Sequence, residues 1–223
     1  MRTRIAAVAV LLVGLCATVA AARPVSSGFS AHVDNPWFPL RPGTTYISIG
    51  EKDGVPSRDV VTVTRRVEVI DGVPCVVVSD RLYLAGHLGE RTADLYTQDA
   101  KGNVWYFGES TAELDRHGRV TSTEGSWQAG RDGAKPGIFM PAHPRVGQSF
   151  RQEYYRGHAE DHFRVKGIFG LGSPRNALLT EEWTPLEPGV LDHKLYVRGV
   201  GVALEQSVRG GNERAALVAM HSR

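Results

Sequence analysis

Cysteine is scarce in this chain of 223 residues: there are two, Cys16 and Cys75. Cys16 falls in an N-terminal segment with the marks of a cleaved signal, so the remainder keeps one thiol and no intrachain disulfide is expected. A charge of one sign is also missing, with 26 Lys+Arg against 24 Asp+Glu. Residues 1–22 hold two arginines and no acid, so without them the balance is 24 against 24. That balance gives no electrostatic footprint for nucleic acid or for an anionic membrane. No apolar run beyond residue 22 approaches the ~20 residues of a spanning helix, so no transmembrane segment is expected in the mature chain. Helical periodicity is nearly absent after residue 30, which excludes an α or α/β fold.

The common catalytic signatures are missing too. There is no Gly-x-Ser-x-Gly elbow, no His-Glu-x-x-His and no Walker loop. Gly199-Val200-Gly201 starts like a dinucleotide fingerprint but lies between two strand-like runs with no helix after it, so no nucleotide cofactor is expected. No cofactor of any other kind is expected either. His158 and His162 would share a face on a helix. On a strand they stand about 13 Å apart, too far for one ion, so no metal site is expected.

What is present begins with targeting. Arg2 and Arg4 precede an uncharged apolar run over residues 5–19, and Ala20-Ala21-Ala22 offers small residues for signal peptidase. Residues 1–22 are therefore expected to be a signal peptide and the mature protein to be secreted, periplasmic or otherwise in the cell envelope. Leu15 stands before Cys16 where a lipobox needs a small residue, which argues against lipidation there.

Short β-rich runs separated by turn signals follow. They cover residues 58–70, 74–84, 90–99, 104–107, 119–126, 148–155, 158–168, 177–184, 190–198, 200–209 and 214–220. Asp71-Gly72 between the first two is a strong hairpin signal. Consecutive hairpins predict one curved antiparallel meander, a half-barrel or open barrel of about 10–11 strands. Residues 23–223 read as a single β domain, expected to be a monomer. Residues 23–43 form its N-terminal arm, because Pro36 and Pro39 exclude a central strand. Residues 129–147, rich in Gly and Pro, read as a long ordered loop that covers the concave face.

Strand parity then singles out three acids. Asp161 shares a side with Ala159, Phe163 and Val165, Glu109 with Trp105 and Phe107, and Glu181 with Leu179 and Trp183. A carboxylate among apolar neighbours needs a partner or a shifted pKa. These three are the catalytic candidates if the protein is an enzyme, or else structural ion pairs. The aromatics Trp105, Phe107, Trp127, Tyr154, Phe163 and Trp183 are the candidates to line a binding surface.

Several longer motifs carry a resemblance. They include Asp34-Asn35-Pro36-Trp37-Phe38-Pro39-Leu40-Arg41-Pro42-Gly43, Gly102-Asn103-Val104-Trp105-Tyr106-Phe107-Gly108-Glu109, Ser122-Thr123-Glu124-Gly125-Ser126-Trp127 and Glu182-Trp183-Thr184-Pro185-Leu186. On these, and over nearly all of residues 34–209, the chain resembles a group of secreted bacterial all-β proteins of unassigned function. Tyr196-Val197-Arg198-Gly199-Val200-Gly201-Val202 is more distantly similar to the ending of periplasmic lipoprotein-like β-proteins akin to LolA-type half-barrels. That likeness implies a lipid or other apolar small molecule as partner, while the charge balance leaves no nucleic acid expected. Three functions stay open: binding of a hydrophobic or amphipathic ligand, hydrolysis by paired carboxylates outside the cytoplasm, and an envelope-interaction module without a pocket.

Overall fold

A computed structural model describes residues 28–172 and 175–222, so the expected signal peptide lies outside the described residues. The described chain is all-β. The first strands are β1 (Phe29–Ser30), β2 (Thr44–Lys52), β3 (Val55–Ile70), β4 (Val73–Leu84), β5 (His87–Asp99) and β6 (Val104–Leu114). Next come β7 (Val120–Ser122), β8 (Trp127–Gln128), β9 (Lys135–Met140), β10 (Ser149–Arg151) and β11 (Glu153–Tyr154). The last are β12 (His162–Phe169), β13 (Ala177–Trp183), β14 (Leu191–Val197), β15 (Gly201–Arg209) and β16 (Arg214–Ser222).

Three tight hairpins set the front half. Asp53-Gly54, Asp71-Gly72 and Ala85-Gly86 all have positive φ at both positions. That is the type I′ geometry, whose twist matches the strands it joins. It locks the registers Lys52↔Val55, Ile70↔Val73 and Leu84↔His87. A second meander runs from β12 to β16, and β16 pairs with β2 to join the halves. Every pairing is antiparallel, in one sheet ordered β10-β12-β13-β14-β15-β16-β2-β3-β4-β5-β6-β9-β11.

The two ends of that order, β10 and β11, are consecutive pieces of one segment. β10 pairs with β12, β11 pairs with β9, and the chain passes between them at Gln152. The sheet thereby closes on itself through the backbone into a nearly complete barrel. Gly137 of β9 permits this, since a Cβ there would lie 2.3 Å from the Arg151 carbonyl oxygen.

The strand count of sixteen exceeds the expected ten or eleven. β2 and several pieces of two or three residues account for most of the difference. The expected loop over residues 129–147 contains a strand, β9, which pairs with β6 and β11. The N-terminal arm turns inward. Val33, Trp37 and Leu40 are buried in the main core. Asn35 donates to the carbonyls of Gly102 and Pro141 at 2.9 and 3.2 Å, and the Gly199 amide donates to the Pro36 carbonyl at 2.6 Å. No helix among the described residues is long and apolar enough to cross a membrane.

Candidate functional site

Inside the barrel is a partly enclosed cavity of about 320 Å³. Phe38, Pro39 and Leu40 of the arm form part of its wall, beside Phe139 of β9. The rings are arranged as a cluster. Tyr96 stacks on Tyr106 at 4.7 Å between centroids, and Phe38 and Phe139 meet Tyr96 edge-on at 5.3 and 5.0 Å. The cover expected from residues 129–147 is thus shared: within that range Phe139 alone lines this cavity, and the arm supplies the rest.

The remainder of the wall is acidic. Asp59, Asp80, Asp94 and Glu109 reach it from β3, β4, β5 and β6. Glu153, Asp161, Glu182 and Glu205 reach it from the other side, and Lys194 of β14 is the one lysine or arginine among the lining residues. Lys194 Nζ lies 3.2 Å from Glu182 and 3.2 Å from Glu205. Glu182 also accepts hydrogen bonds from Thr180 at 2.8 Å and from the Tyr196 hydroxyl at 3.2 Å, so it is well satisfied. Although burial opposes its charge, Glu182 and Glu205 hold the Lys194 ammonium well above its ordinary pKa.

The acids on the opposite wall have no such cation. Burial first, and then the Asp94 and Glu153 carboxyls, push Glu109 up to about 9. Burial and Asp80 push Asp94 up to about 7, although the Tyr106 hydroxyl donates to it at 2.6 Å and favours its ionised form. Burial and Asp161 raise Glu153, against a 2.7 Å hydrogen bond from Trp127 Nε1. Burial and Asp80 raise Asp59, whose Oδ1 is buried with no hydrogen-bond partner among the described residues. Asp161 is exposed at the surface, and the protein around its carboxyl raises it against a hydrogen bond from Thr184. Near neutral pH this favours the neutral carboxylic acid at Asp59, Glu109 and Glu153, leaves Asp94 near its midpoint, and shifts Asp161 in the same direction.

Glu109 and Asp161 line this one cavity; Glu181 does not. Glu181 lies on the outer face of β13, 2.9 Å from Lys166 and 3.7 Å from Arg164. The Lys166 hydrogen bond holds its carboxyl below the usual range. Leu179 and Trp183 are half-buried on the same outer face, and the buried face carries Leu178, Thr180 and Glu182. Apolar residues on both faces of β13 made the parity ambiguous there.

The aromatic candidates sit around the cavity wall, not on it. Trp105 and Phe107 pack under Phe29 of β1, at 6.1 and 5.7 Å. Gly108 explains why they part from Glu109. Leu95 faces Gly108 while Tyr96 faces Tyr106, so Phe107 is the extra residue of a bulge and the alternation resets. Tyr106 and Glu109 then share the inner face. Gly108 has φ +145, and a Cβ would lie 2.5 Å from the Trp127 carbonyl oxygen. Trp127 is buried behind the wall and meets Tyr106 edge-on at 5.5 Å. Phe163 is buried against Phe150, Tyr154 lies under Arg151, and Trp183 stacks on His162 outside.

The parity argument that singled out three acids reaches further. Asp59 alternates with Val61 and Val63, Asp80 with Val78, and Asp94 with Tyr96. Applied to every strand, it would have found these three lining acids.

No protein-family pattern matches the chain, and no curated protein matches it in sequence. Two solved structures are similar in fold. One is a protein of Bacteroides fragilis, described as exported and as having a YmcC-like fold. It has 14% identity and a TM-score of 0.46 over 83% of this chain and 99% of that one. The other is a protein of Parabacteroides distasonis described as a lipoprotein. It has 10% identity and a TM-score of 0.41 over 84% of this chain and 99% of that one.

Proposed function

We propose that this is a non-enzymatic binding protein that works outside the cytoplasm and takes a small amphipathic molecule into its barrel. The observation that carries the reading is the cavity of about 320 Å³, with an aromatic wall facing a polar one. Small-molecule pockets run from ~300 to 1,000 Å³ and combine apolar lining with a few polar groups. The size suits a small molecule better than a whole two-chain lipid, which narrows the expectation drawn from the LolA-type likeness. Export rests on Arg2, Arg4, the apolar run and Ala20-Ala21-Ala22.

The test uses the mature protein and N-phenyl-1-naphthylamine, a neutral dye that fluoresces in apolar surroundings. Saturable one-to-one enhancement is expected, and Ala203→Phe, which fills the cavity from β15, should abolish it while leaving the circular dichroism unchanged. Enhancement that persists in a folded Ala203→Phe protein, or none in wild type, refutes the reading. Native mass spectrometry of protein from its own host should show a co-purified small molecule on a chain beginning near Arg23.

A further inference from the structure

We propose that the occupant of the barrel is an organic cation: an amine whose ammonium sits among the interior carboxyls while its apolar body lies against Phe38, Tyr96 and Phe139. The inference rests on the ligand-binding reading above and specifies the chemistry of that same site.

Charge is the first argument. Eight carboxyl groups line the cavity against Lys194, whose ammonium is already held by Glu182 and Glu205. The six other acids face the space with no lysine or arginine of their own among the lining residues. An anionic amphiphile such as a fatty acid would find no free lysine or arginine on that wall and would oppose ionisation of its carboxyls still further. A cation would favour the ionised carboxylates and pair with them.

Unmet hydrogen bonding is the second argument, independent of the first. Tyr96 and Gln152 line the cavity with only 7% and 4% of their surface exposed. The Tyr96 hydroxyl and the Gln152 side-chain amide are polar groups carried on that wall. Among the described residues Asp59 Oδ1 is the buried side-chain oxygen with no hydrogen-bond partner. Buried polar groups are nearly always satisfied by protein, water or ligand. The phenol, amide and carboxyl oxygens all accept hydrogen bonds, and an ammonium has N–H donors to offer and nothing to accept.

The aromatic wall is the third. Ring faces attract a cation and cover an alkyl body, whereas they do nothing for a bare metal ion's need of oxygen ligands. Among the described residues no three carboxyl or imidazole groups converge as a metal site requires. The chemistry that fits is a monoalkylamine or comparable small organic base.

The experiment compares octylamine, 1-octanol and octanoate by calorimetry on the mature protein, with calcium chloride as a fourth arm. Octylamine should bind one-to-one and about tenfold or more tighter than octanol, equivalent to ~1.4 kcal/mol, and octanoate should bind weakest. Tyr96→Phe and Gln152→Leu should weaken octylamine and leave octanol and dye binding unchanged. Octanol or octanoate binding as tightly as octylamine overturns the cation and leaves the binding reading standing. Calcium binding without octylamine binding also overturns it. If octylamine, octanol, octanoate and the dye all fail to bind, both readings fall together.

Discussion

Glu109→Gln should stabilise the protein, and the gain should grow with pH. Burial and its acidic neighbours raise Glu109 from 4.5 to about 9. Between those values the folded protein keeps a proton on Glu109 that the unfolded chain has released. Folding then binds a proton, so stability is full below about pH 4.5 and falls as pH rises toward 9. Each unit is worth ~1.36 kcal/mol. At about pH 7.5, three units above 4.5, the ceiling is ~4 kcal/mol. Relaxation of the cavity reduces this, since buried sites behave as a medium of higher dielectric than a dry interior, and ~2 kcal/mol is the expected gain. Glutamine matches the shape and carries no charge to desolvate. For a domain of this size ~2 kcal/mol is a rise of roughly 4–8 °C in Tm. The assay is thermal and urea unfolding of both proteins at four values between about pH 4.5 and 9. Glu181→Gln is the control. Its carboxyl is held low by Lys166 on the outer face, so it should lose up to ~1 kcal/mol at neutral pH, with nothing gained. A Glu109→Gln protein no more stable than wild type at about pH 7.5, or a difference that does not change with pH, would refute the reasoning.

Lys194→Met removes the cation 3.2 Å from both Glu182 and Glu205. It should cost ~3–5 kcal/mol in urea unfolding near neutral pH and less as the pH falls, because burial already raises Glu205; a neutral effect would show that the pair is hydrated and not held by the lysine. Gly137→Ala places a Cβ against the Arg151 and Gln152 backbone, which cannot yield as a side chain can. It should cost ~3 kcal/mol, with amide exchange rising first at Glu153 and Tyr154 while β3 and β4 stay protected; uniform loss of protection would contradict a local seam.

The parts of the fold that the sequence announces are those with enough residues to show a pattern. Asp71-Gly72 marks its hairpin, and the long strands β3 to β5 alternate or run apolar for ten residues or more. Phe29–Ser30, Trp127–Gln128 and Glu153–Tyr154 are two-residue strands, too short for any period to register. β9 hides behind Pro136-Gly137, which reads as a turn. Pro136 fits because β9 lies near the seam, opposite Glu153, and Gly137 fits because the other edge of the sheet passes against it. The site was legible in kind and not in detail. Glu109 and Asp161, singled out as acids on apolar faces, both line the cavity. Of the aromatics chosen with them, Trp105 and Phe107 lie off the cavity because one bulge at Gly108 moves them to the other face. No composition or periodicity reveals a bulge whose glycine is needed for the approach of Trp127.

That bulge also shows how the barrel divides its work between two faces. The outer rings of β6, Trp105 and Phe107, are covered by β1, and Trp37 and Leu40 of the arm lie in the main core. Apolar burial at ~25 cal/mol per Å² is thus shared by the arm, the outer face of the sheet and inward residues such as Val63 and Val78. Among the groups that face the inside are some that weaken a fold: carboxyls whose pKa burial raises, one of which, Asp59, keeps a buried oxygen without a partner among the described residues. Valine or leucine at the same inward positions would fill the space and remove each penalty. Residues that cost stability in the folded state cluster where something other than stability keeps them. Here they surround a cavity wide enough for a small molecule, which is where the proposed binding role would keep them.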